Sequence, residues 1–342
     1  MKKILIVATG GTIASMPQED GLAPELSGQD LIQRVPKLKG LCDITTVQPM
    51  NIDSTNMRPR DWLTIASVIA ERYDEFDGFV ILHGTDTMAY SAAALSYLLQ
   101  DSPKPIVLTG SQQPMAAPFT DAQLNVYQSI IFALNPCSFD VNVVFGSLFG
   151  SQVIAGTRAH KQRTMSFNAF SSMNYPVLAY IRGDKVVWSG LMEPDPAART
   201  RRALKRYTKL DERVIVLKLT PELKPSILGL LKDDYDAVIL ETFGVGGIPD
   251  YNHHAFRHAI FEWTDSGKTV VLTTQVPEEG LNLGVYEVGH AFAHHPGILQ
   301  GEDMTTEAIV AKTMWALGQS REREAIEGLF SQVINHDHTP TS

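Results

Sequence analysis

Short apolar runs alternate with helical patterns along this chain, and that alternation constrains its fold more than any other feature. Strands that alternate with helices form parallel sheets. Because the runs are apolar at every position, helices should cover both faces of the sheet. The first half therefore predicts an α/β domain with a doubly wound sheet. Its strand-like runs are residues 4–8, 44–47, 79–82, 106–109 and 141–145, and its helical patterns are residues 62–73, 88–99 and 122–133, the last capped by Asp121.

The second half repeats this rhythm on a smaller scale. Its strand-like runs are residues 214–219, 237–240 and 270–273, and its helical patterns are residues 254–265 and 306–317. Proline and charge replace the apolar periodicity after Trp188, which marks a domain boundary. We therefore assign residues 1–190 to a larger N-terminal domain, 191–212 to a linker, 213–334 to a smaller C-terminal α/β domain and 335–342 to a tail.

The charge of the chain argues against nucleic acid as a partner. The formal net charge is -9, which disfavours a surface that tracks phosphates. A local basic stretch is present, and we interpret it as a solvated linker or helix face. It consists of Arg199, Arg201, Arg202, Lys205 and Arg206.

The sequence also gives no sign of a membrane or an export signal. No apolar run approaches the roughly 20 residues that cross a bilayer. The apolar run that follows Lys3 is too short for a secretory signal and leads directly into a threonine-glycine turn. Cys42 and Cys137 have no partner at a ligand-like spacing. We expect a cytoplasmic protein without a disulfide framework.

Two glycine-flanked threonine motifs directly follow strand-like runs, at residues 9–14 and 83–87. Ligands of open α/β sheets bind beyond the carboxyl ends of the strands, so both motifs can face one pocket. Thr12 needs a base to become a nucleophile, and Thr85, Asp86 and Lys161 could form a hydroxyl, carboxylate and ammonium relay. The alternative is that both threonines only cap helices or turns.

A further polar loop follows the strand-like run at residues 44–47. Asp53, Ser54 and Thr55 offer a carboxylate and hydroxyls that suit the ammonium and carboxylate of an amino acid. Such loops also cap helices, here ahead of Pro59. Both interpretations stay open on the residues alone.

Neither a nucleotide site nor a metal site is indicated. Residues 9–12 match neither the phosphate-binding loop nor the dinucleotide fingerprint. The histidine pairs at residues 253–254 and 294–295 lack the spacing of metal ligands. We interpret His83 as a buried or orienting group rather than a base.

Taken together, the motifs resemble the bacterial L-asparaginases, specifically the cytoplasmic type I group. The resemblance covers nearly the whole chain. The matching segments are residues 9–14, 51–54, 78–90, 109–111, 156–161, 243–249 and 304–308.

The resemblance implies hydrolysis of L-asparagine to L-aspartate and ammonia without a cofactor or a metal. It also implies the two-domain asparaginase-like fold and a homodimer or homotetramer with the pocket near a subunit boundary. By motif, Thr12 matches the nucleophile, and Thr85, Asp86 and Lys161 match the relay. The residues matched to the substrate-binding wall are Asp53, Ser54, Thr55, Gly84, Thr85, Asp86 and Ser111.

Two positions depart from the family pattern. Many members carry a tyrosine in the mobile loop after the first motif, where this chain has Leu22. We still expect residues 16–24 to form a lid, with Gly21 as its hinge. Some type I members also bind a second asparagine through an arginine, and Glu241 stands at that position. This substitution argues against allosteric activation.

Two other functions remain as alternatives. One is the asparaginase-like subunit of an amidotransferase that supplies ammonia to a tRNA-bound glutamate. Those chains carry an extra N-terminal domain, which we do not expect here because the first strand directly follows Met1. The other is a non-catalytic amino-acid sensor, for which Leu22 is the motive. Because binding alone would not need the whole relay, Thr12, Thr85 and Lys161 favour an enzyme.

Overall fold

The protein is described by a computed structural model that covers residues 1–18, 21–192, 194–195, 197, 200–284 and 287–340. It forms two compact units, Met1–Thr208 and Lys209–Ser342. The prediction of a larger and a smaller α/β domain is confirmed. The segment that we assigned to a linker falls on both sides of this division.

The first unit contains the predicted alternation of strands and helices. Its strands are β1 Lys3–Ala8, β2 Ser15–Gln18, β3 Gly21–Pro24, β4 Asp43–Val47, β5 Gly78–Leu82, β6 Leu99–Gln100, β7 Ile106–Thr109, β8 Val141–Ser147, β9 Gly150–Ala155, β10 Ala159–Lys161, β11 Phe170–Ser172, β12 Ala179–Arg182, β13 Lys185–Trp188 and β14 Lys205–Arg206. Its helices are α1 Gly28–Gln33, α2 Pro59–Glu71, α3 Met88–Leu98 and α4 Ala122–Leu134.

The main sheet of this unit is mixed. Its strand order is β13-β12-β9-β8-β7-β5-β1-β4. The strands β4, β1, β5, β7 and β8 run parallel to one another, whereas β9, β12 and β13 add antiparallel pairs at one edge. We did not predict this antiparallel edge. Ala8 pairs with Leu82, and Leu82 pairs with Thr109, so β1, β5 and β7 end side by side.

Both faces of the parallel strands are covered, as the apolar runs predicted. Ile4 and Ile6 point to one face and Leu5 and Val7 to the other, because side chains alternate along a strand. All four are fully buried. The helix α3 is buried over almost its whole length, which explains why its sequence is apolar on every side.

The second unit is a parallel sheet with helices. Its strands are β15 Val214–Lys218, β16 Ala237–Thr242, β17 Thr269–Thr274 and β18 Ile298–Gln300, in that order across the sheet. Its helices are α5 Ser226–Leu231, α6 Tyr251–Asp265, α7 Glu287–Ala293, α8 Thr306–Gln319 and α9 Arg323–Phe330. Trp263 and Phe256 of α6 pack in the core of this unit.

The segment that we assigned to a tail is attached to the second unit through a buried ion pair. Lys312 Nζ lies 2.7 Å from Asp337 Oδ2, and both side chains are 0% exposed. Lys312 also donates to the carbonyl of Gln332 at 2.6 Å. The chain around Asp337 is therefore packed rather than loose.

Most of the described residues in the basic stretch either form ion pairs with acidic side chains or belong to a paired strand. Arg202 forms an ion pair with Asp140, and Lys205 Nζ lies 2.8 Å from Asp101. The strand β14 pairs with β6. Part of this stretch therefore belongs to the fold of the first unit, while Arg199 lies outside the described residues.

Candidate active site

Two glycines at the end of β1 turn the backbone sharply and present Thr12. Gly10 and Gly11 have φ values of 103° and 80°, which favour glycine. Thr12 then begins a short 3₁₀ turn, Thr12–Ala14, and is half-buried. The amide of Gly11 donates to the carbonyl of Ile52 at 2.9 Å. This bond joins the first threonine motif to the loop after β4.

Three loops touch where only glycine fits. A Cβ built on Gly11 would lie 2.3 Å from the Cα of Gly84, and one built on Gly84 would lie 2.6 Å from Ser54 Oγ. Side chains at these positions would therefore push the loops apart. The structure brings together the loops that carry Thr12, Ser54 and Thr85.

Lys161 connects the second threonine motif to a distant hairpin. Its Nζ lies 2.8 Å from Thr85 Oγ1 and 2.5 Å from Asp86 Oδ1. Lys161 is the last residue of β10, and its pairing with Phe170 of β11 fixes the backbone there. Thr85 is buried, whereas the Asp86 side chain is 57% exposed. A hydroxyl, a lysine amino group and a carboxylate thus form one continuous hydrogen-bonded chain.

Gln112 extends this chain, and sequence reasoning missed it. Thr85 Oγ1 donates to Gln112 Oε1 at 3.2 Å. Gln112 Nε2 donates in turn to the carbonyl of Ser166 at 3.3 Å. The available signal was its place directly after Ser111, in a loop that leaves a strand end beside the threonine motifs.

Asp121 has a different role from the predicted helix cap. The helix α4 does begin at Ala122, but the Asp121 side chain makes no capping bond. Instead its carboxylate accepts the backbone amides of Gln112 and Gln113 at 3.0 to 3.1 Å. Burial raises the pKa of Asp121 above its ordinary value. The buried carboxylate therefore anchors the loop that carries Gln112, because the two amides lie ahead of the helix rather than in its first turn.

Ser111 lies beside this site, but its hydroxyl is turned into its own loop. It is fully buried, and its Oγ donates to the carbonyl of Gln113 at 2.5 Å. The structure thus gives Ser111 a role in shaping the loop.

The loop at Asp53 is ordered by local hydrogen bonds. Asp53 Oδ1 accepts from the backbone amide and the hydroxyl of Thr55 at 2.8 and 2.7 Å. Asp53 thereby caps the short turn Ser54–Asn56. Ser54 is buried, and its carbonyl accepts the hydroxyl of Thr87 at 2.7 Å. The capping interpretation therefore describes the bonds of Asp53, which is an exposed residue.

His83 is buried behind the second threonine motif and is hydrogen-bonded through both of its ring nitrogens. Its Nδ1 lies 2.7 Å from the carbonyl of Gly84, and its Nε2 lies 2.8 Å from Ser91 Oγ. Trp62 Nε1 donates to the same Ser91 Oγ at 2.9 Å. A carbonyl only accepts, so Nδ1 carries the proton and Nε2 accepts from Ser91. Burial lowers the pKa of His83 to about 4, so it orients the loop as a neutral ring.

The segment that we predicted to be a lid, residues 16–24, follows the 3₁₀ turn that begins at Thr12. The strands β2 and β3 form an antiparallel pair in which Pro17 lies opposite Leu22. Glu19 and Asp20 lie outside the described residues, as does the side chain of Leu22.

The side chain of Glu241 has hydrogen-bond and ion-pair partners within the second unit. It lies near the end of β16, and its Oε1 accepts the hydroxyl of Thr306 at 2.7 Å. Lys218 Nζ lies 3.8 Å from its other oxygen. The acidic side chain is thus stabilised in place.

In the part of the chain that the structure describes, no group of three or more His, Cys, Asp or Glu side chains is arranged to hold a metal ion. Within the same residues, no helix is long and apolar enough to cross a membrane. Cys42 and Cys137 are free and buried, and burial raises the pKa of Cys42 to about 11.

Both halves of the chain match known domain families. Residues 3–192 match the family described as asparaginase, N-terminal, and residues 213–330 match the glutaminase/asparaginase C-terminal domain. An L-asparaginase of Thermococcus kodakarensis is 39% identical over 97% of this chain and 98% of its own length. L-asparaginase 1 of Escherichia coli strain K12 is 34% identical over 99% and 98%. One component of a glutamyl-tRNA(Gln) amidotransferase from Metallosphaera sedula is 32% identical over 99% of this chain and 77% of its own length.

Solved structures agree with these matches. The thermostable L-asparaginase of Thermococcus kodakarensis superposes with a TM-score of 0.89 at 36% identity, covering 99% of this chain and 100% of its own. L-asparaginase I of Vibrio cholerae gives 0.84 at 31% identity, covering 99% of each chain. A probable cytoplasmic L-asparaginase of Campylobacter jejuni gives 0.78 at 25% identity, covering 96% and 99%.

Proposed function

Because this chain belongs to the asparaginase family in both of its domains, we propose that it hydrolyses L-asparagine to L-aspartate and ammonia, with Thr12 as nucleophile. The observation that carries the proposal is the contact of Lys161 Nζ with both Thr85 Oγ1 and Asp86 Oδ1, at 2.8 and 2.5 Å. Structural roles alone would not need a lysine between a buried hydroxyl and an exposed carboxylate. Removing a proton from a threonine does need such a relay.

The reaction divides into two steps. In the first, Thr12 Oγ attacks the side-chain amide carbon of asparagine while its proton passes to Thr85, which gives its own proton to the Lys161 amine, and Asp86 holds the ammonium that forms. The proton then returns along the same relay to the leaving nitrogen, which departs as ammonia. In the second step, water adds to the aspartyl ester on Thr12 and frees aspartate. Splitting one difficult step into two easier ones is the gain of covalent catalysis.

The negative oxygen that forms in each step requires hydrogen-bond donors. The glycine-rich turns at Gly11 and Gly84 pack directly against each other, and we assign the oxyanion site to backbone N–H groups of these turns. Fixed donors in such a site contribute a large share of the rate in acyl transfer. No cofactor takes part in this chemistry.

The charged ends of asparagine fit the polar loops beside the relay. We assign its ammonium group to the carboxylates of Asp53 and Asp86, which carry the opposite charge. We assign its carboxylate to the loop of Ser54 and Thr55. Gly84, Thr85 and Ser111 complete the wall, with Ser111 contributing through its backbone because its hydroxyl is already bonded to Gln113.

We further propose that the protein works as a homodimer or homotetramer in the cytoplasm. Large apolar side chains are exposed on loops of the first unit that follow the site strands: Phe119 is 86% exposed, Leu148 80% and Met165 83%. A subunit contact would bury exposed apolar side chains such as these. The cytoplasmic assignment is supported by the likeness to the Campylobacter jejuni protein. Light scattering after size exclusion would test the assembly, and a monomer at micromolar concentration would contradict it.

The test of the proposed function is ammonia release by the purified protein against L-asparagine, with L-glutamine as the comparison. Release from asparagine supports the enzyme. Calorimetric binding of asparagine without release would instead support the sensor alternative. A sigmoidal rate curve would reveal an allosteric site despite Glu241, and release only with a charged tRNA and partner subunit would support the amidotransferase alternative.

A further inference from the structure

The side-chain amide of Gln112 has an orientation that its contacts fix. Its Nε2 lies 3.3 Å from the carbonyl oxygen of Ser166, and its Oε1 lies 3.2 Å from Thr85 Oγ1. A backbone carbonyl can only accept a hydrogen bond, so the NH₂ group must face Ser166. The oxygen of the amide therefore faces Thr85 and can only accept from it.

This orientation fixes the hydrogen of Thr85. A threonine hydroxyl has one hydrogen and two acceptor positions. The hydrogen is directed to Gln112, and one acceptor position is filled by Lys161 Nζ at 2.8 Å. Among the described residues nothing fills the other acceptor position of Thr85, and an open acceptor is what a proton arriving from Thr12 requires.

We propose that Gln112 is a positioning residue of the relay, acting on Thr12 through Thr85; this inference rests on the proposed function. Before the transfer, the bond from Thr85 to Gln112 Oε1 fixes how the Thr85 hydroxyl is turned, and the remaining acceptor position is left for the hydrogen of Thr12. Without this bond the Thr85 hydroxyl would rotate more freely, and fewer molecules would hold that acceptor position ready. Gln112 thus raises the fraction of molecules in which Thr12 can pass its proton to Thr85.

The backbone beneath Gln112 is held independently of its side chain. The backbone N–H of Gln112 donates to both carboxylate oxygens of buried Asp121. Asn125 Nδ2 donates to the same carboxylate at 3.1 Å and to the carbonyl of Gly110 at 2.9 Å. Replacing the Gln112 side chain therefore leaves the loop anchored, and its effect reports on Thr85.

The test compares Gln112→Met, Gln112→Glu and the neighbouring control Gln113→Met in the full chain. Gln113 is exposed and shares the Asp121 anchor through its backbone. Methionine keeps the length of residue 112 but removes the acceptor, and kcat for asparagine should fall by about tenfold, as expected for one hydrogen bond. KM should stay within about twofold, because Gln112 is not assigned to substrate binding.

Glutamate at position 112 keeps an acceptor oxygen, so Gln112→Glu should restore kcat to within about threefold of the wild type. Gln113→Met should match the wild type. An unchanged kcat in Gln112→Met, or equal losses in the methionine and glutamate variants, would overturn the positioning role. If Gln112→Met does not fold, Gln112→Asn, which withdraws the same amide by one methylene, gives the same comparison.

The result separates the two proposals. A wild type that releases no ammonia from asparagine contradicts the proposed function. An active wild type that is indifferent to the loss of the Gln112 acceptor contradicts only the inference about Gln112.

Discussion

Gly11 and Gly84 approach so closely that a Cβ on Gly11 would lie 2.3 Å from the Cα of Gly84. The two threonine motifs therefore touch through their glycines, although they follow different strands. This contact sets the separation between Thr12 and the relay at Thr85. A change of even one methyl group should alter that separation.

Gly11→Ala should abolish most activity and destabilise the fold. The methyl group meets Gly84 and the residue has a φ of +80°, so we expect a loss of about 3 kcal/mol in the free energy of unfolding. A displacement of the nucleophile on this scale should also reduce kcat at least about 100-fold.

Gly40→Ala is the matched control. Gly40 has a φ of +79°, but a Cβ there meets nothing within 4 Å. This variant should therefore show only the backbone cost, roughly 1 kcal/mol. Urea unfolding measures both variants, and equal losses would mean that the contact with Gly84 does not matter.

Lys161→Met should suppress turnover rather than binding. It removes the amino group that links Thr85 to Asp86, and loss of a positioned acid-base group reduces kcat by about 100-fold or more. Lys185→Met, at an exposed residue of β13, should be neutral. Steady-state kinetics decide the matter, since a rise in KM alone would make Lys161 a substrate contact instead.

The stability of the fold should depend on pH through His83. Burial lowers its pKa to about 4, whereas an unfolded histidine has a pKa of about 6.5. At a pH between these two pKa values, His83 is protonated in the unfolded chain but neutral in the folded chain. The contribution is therefore fully present above pH of about 6.5 and is lost as the pH falls toward about 4.

His83→Asn isolates this effect. Asparagine can still donate to the carbonyl of Gly84 but does not titrate. The difference in free energy of unfolding between wild type and variant should shrink by about 2 kcal/mol from pH 8 to pH 5. Because the other titrating groups are common to both proteins, a difference that stays constant over this range would show that His83 is not held neutral.

Asp337→Asn should destabilise the second unit. It leaves Lys312 buried without its ion-pair partner, a change that typically costs about 3 to 5 kcal/mol. The control is Glu262→Gln, which breaks an ion pair with Lys232 whose acidic side chain is 80% exposed, and should cost less than about 1 kcal/mol. Thermal unfolding of both variants would show whether burial makes the difference.

The strands and helices that shape the site could be predicted because they are local patterns. The strand at residues 106–109 and the start of α4 at Ala122 are confirmed. The antiparallel strands β9, β12 and β13 were missed, since their pairing depends on distant segments rather than on an apolar run.

Within the site, the motifs indicated Thr12, Thr85 and Lys161, and the structure places Thr85 and Lys161 in contact. The place of Gln112 directly after Ser111 was a signal for it, but its contact with Thr85 depends on an amide orientation set by distant Ser166. Asp121 does lie at the predicted N-cap position of α4, but its side chain makes no capping bond. A position before a helix is typical of a cap, but the Asp121 carboxylate instead accepts the backbone amides of Gln112 and Gln113, in a loop that folds over it.

The most direct measurement is ammonia release from L-asparagine by wild type, Thr12→Ala and Thr12→Ser, with folding checked by circular dichroism. If Thr12 is the nucleophile, the alanine variant should lose at least about 1,000-fold in kcat, and the serine variant, which keeps a hydroxyl, should retain measurable turnover. Normal hydrolysis by a folded Thr12→Ala protein would contradict the assignment of the nucleophile.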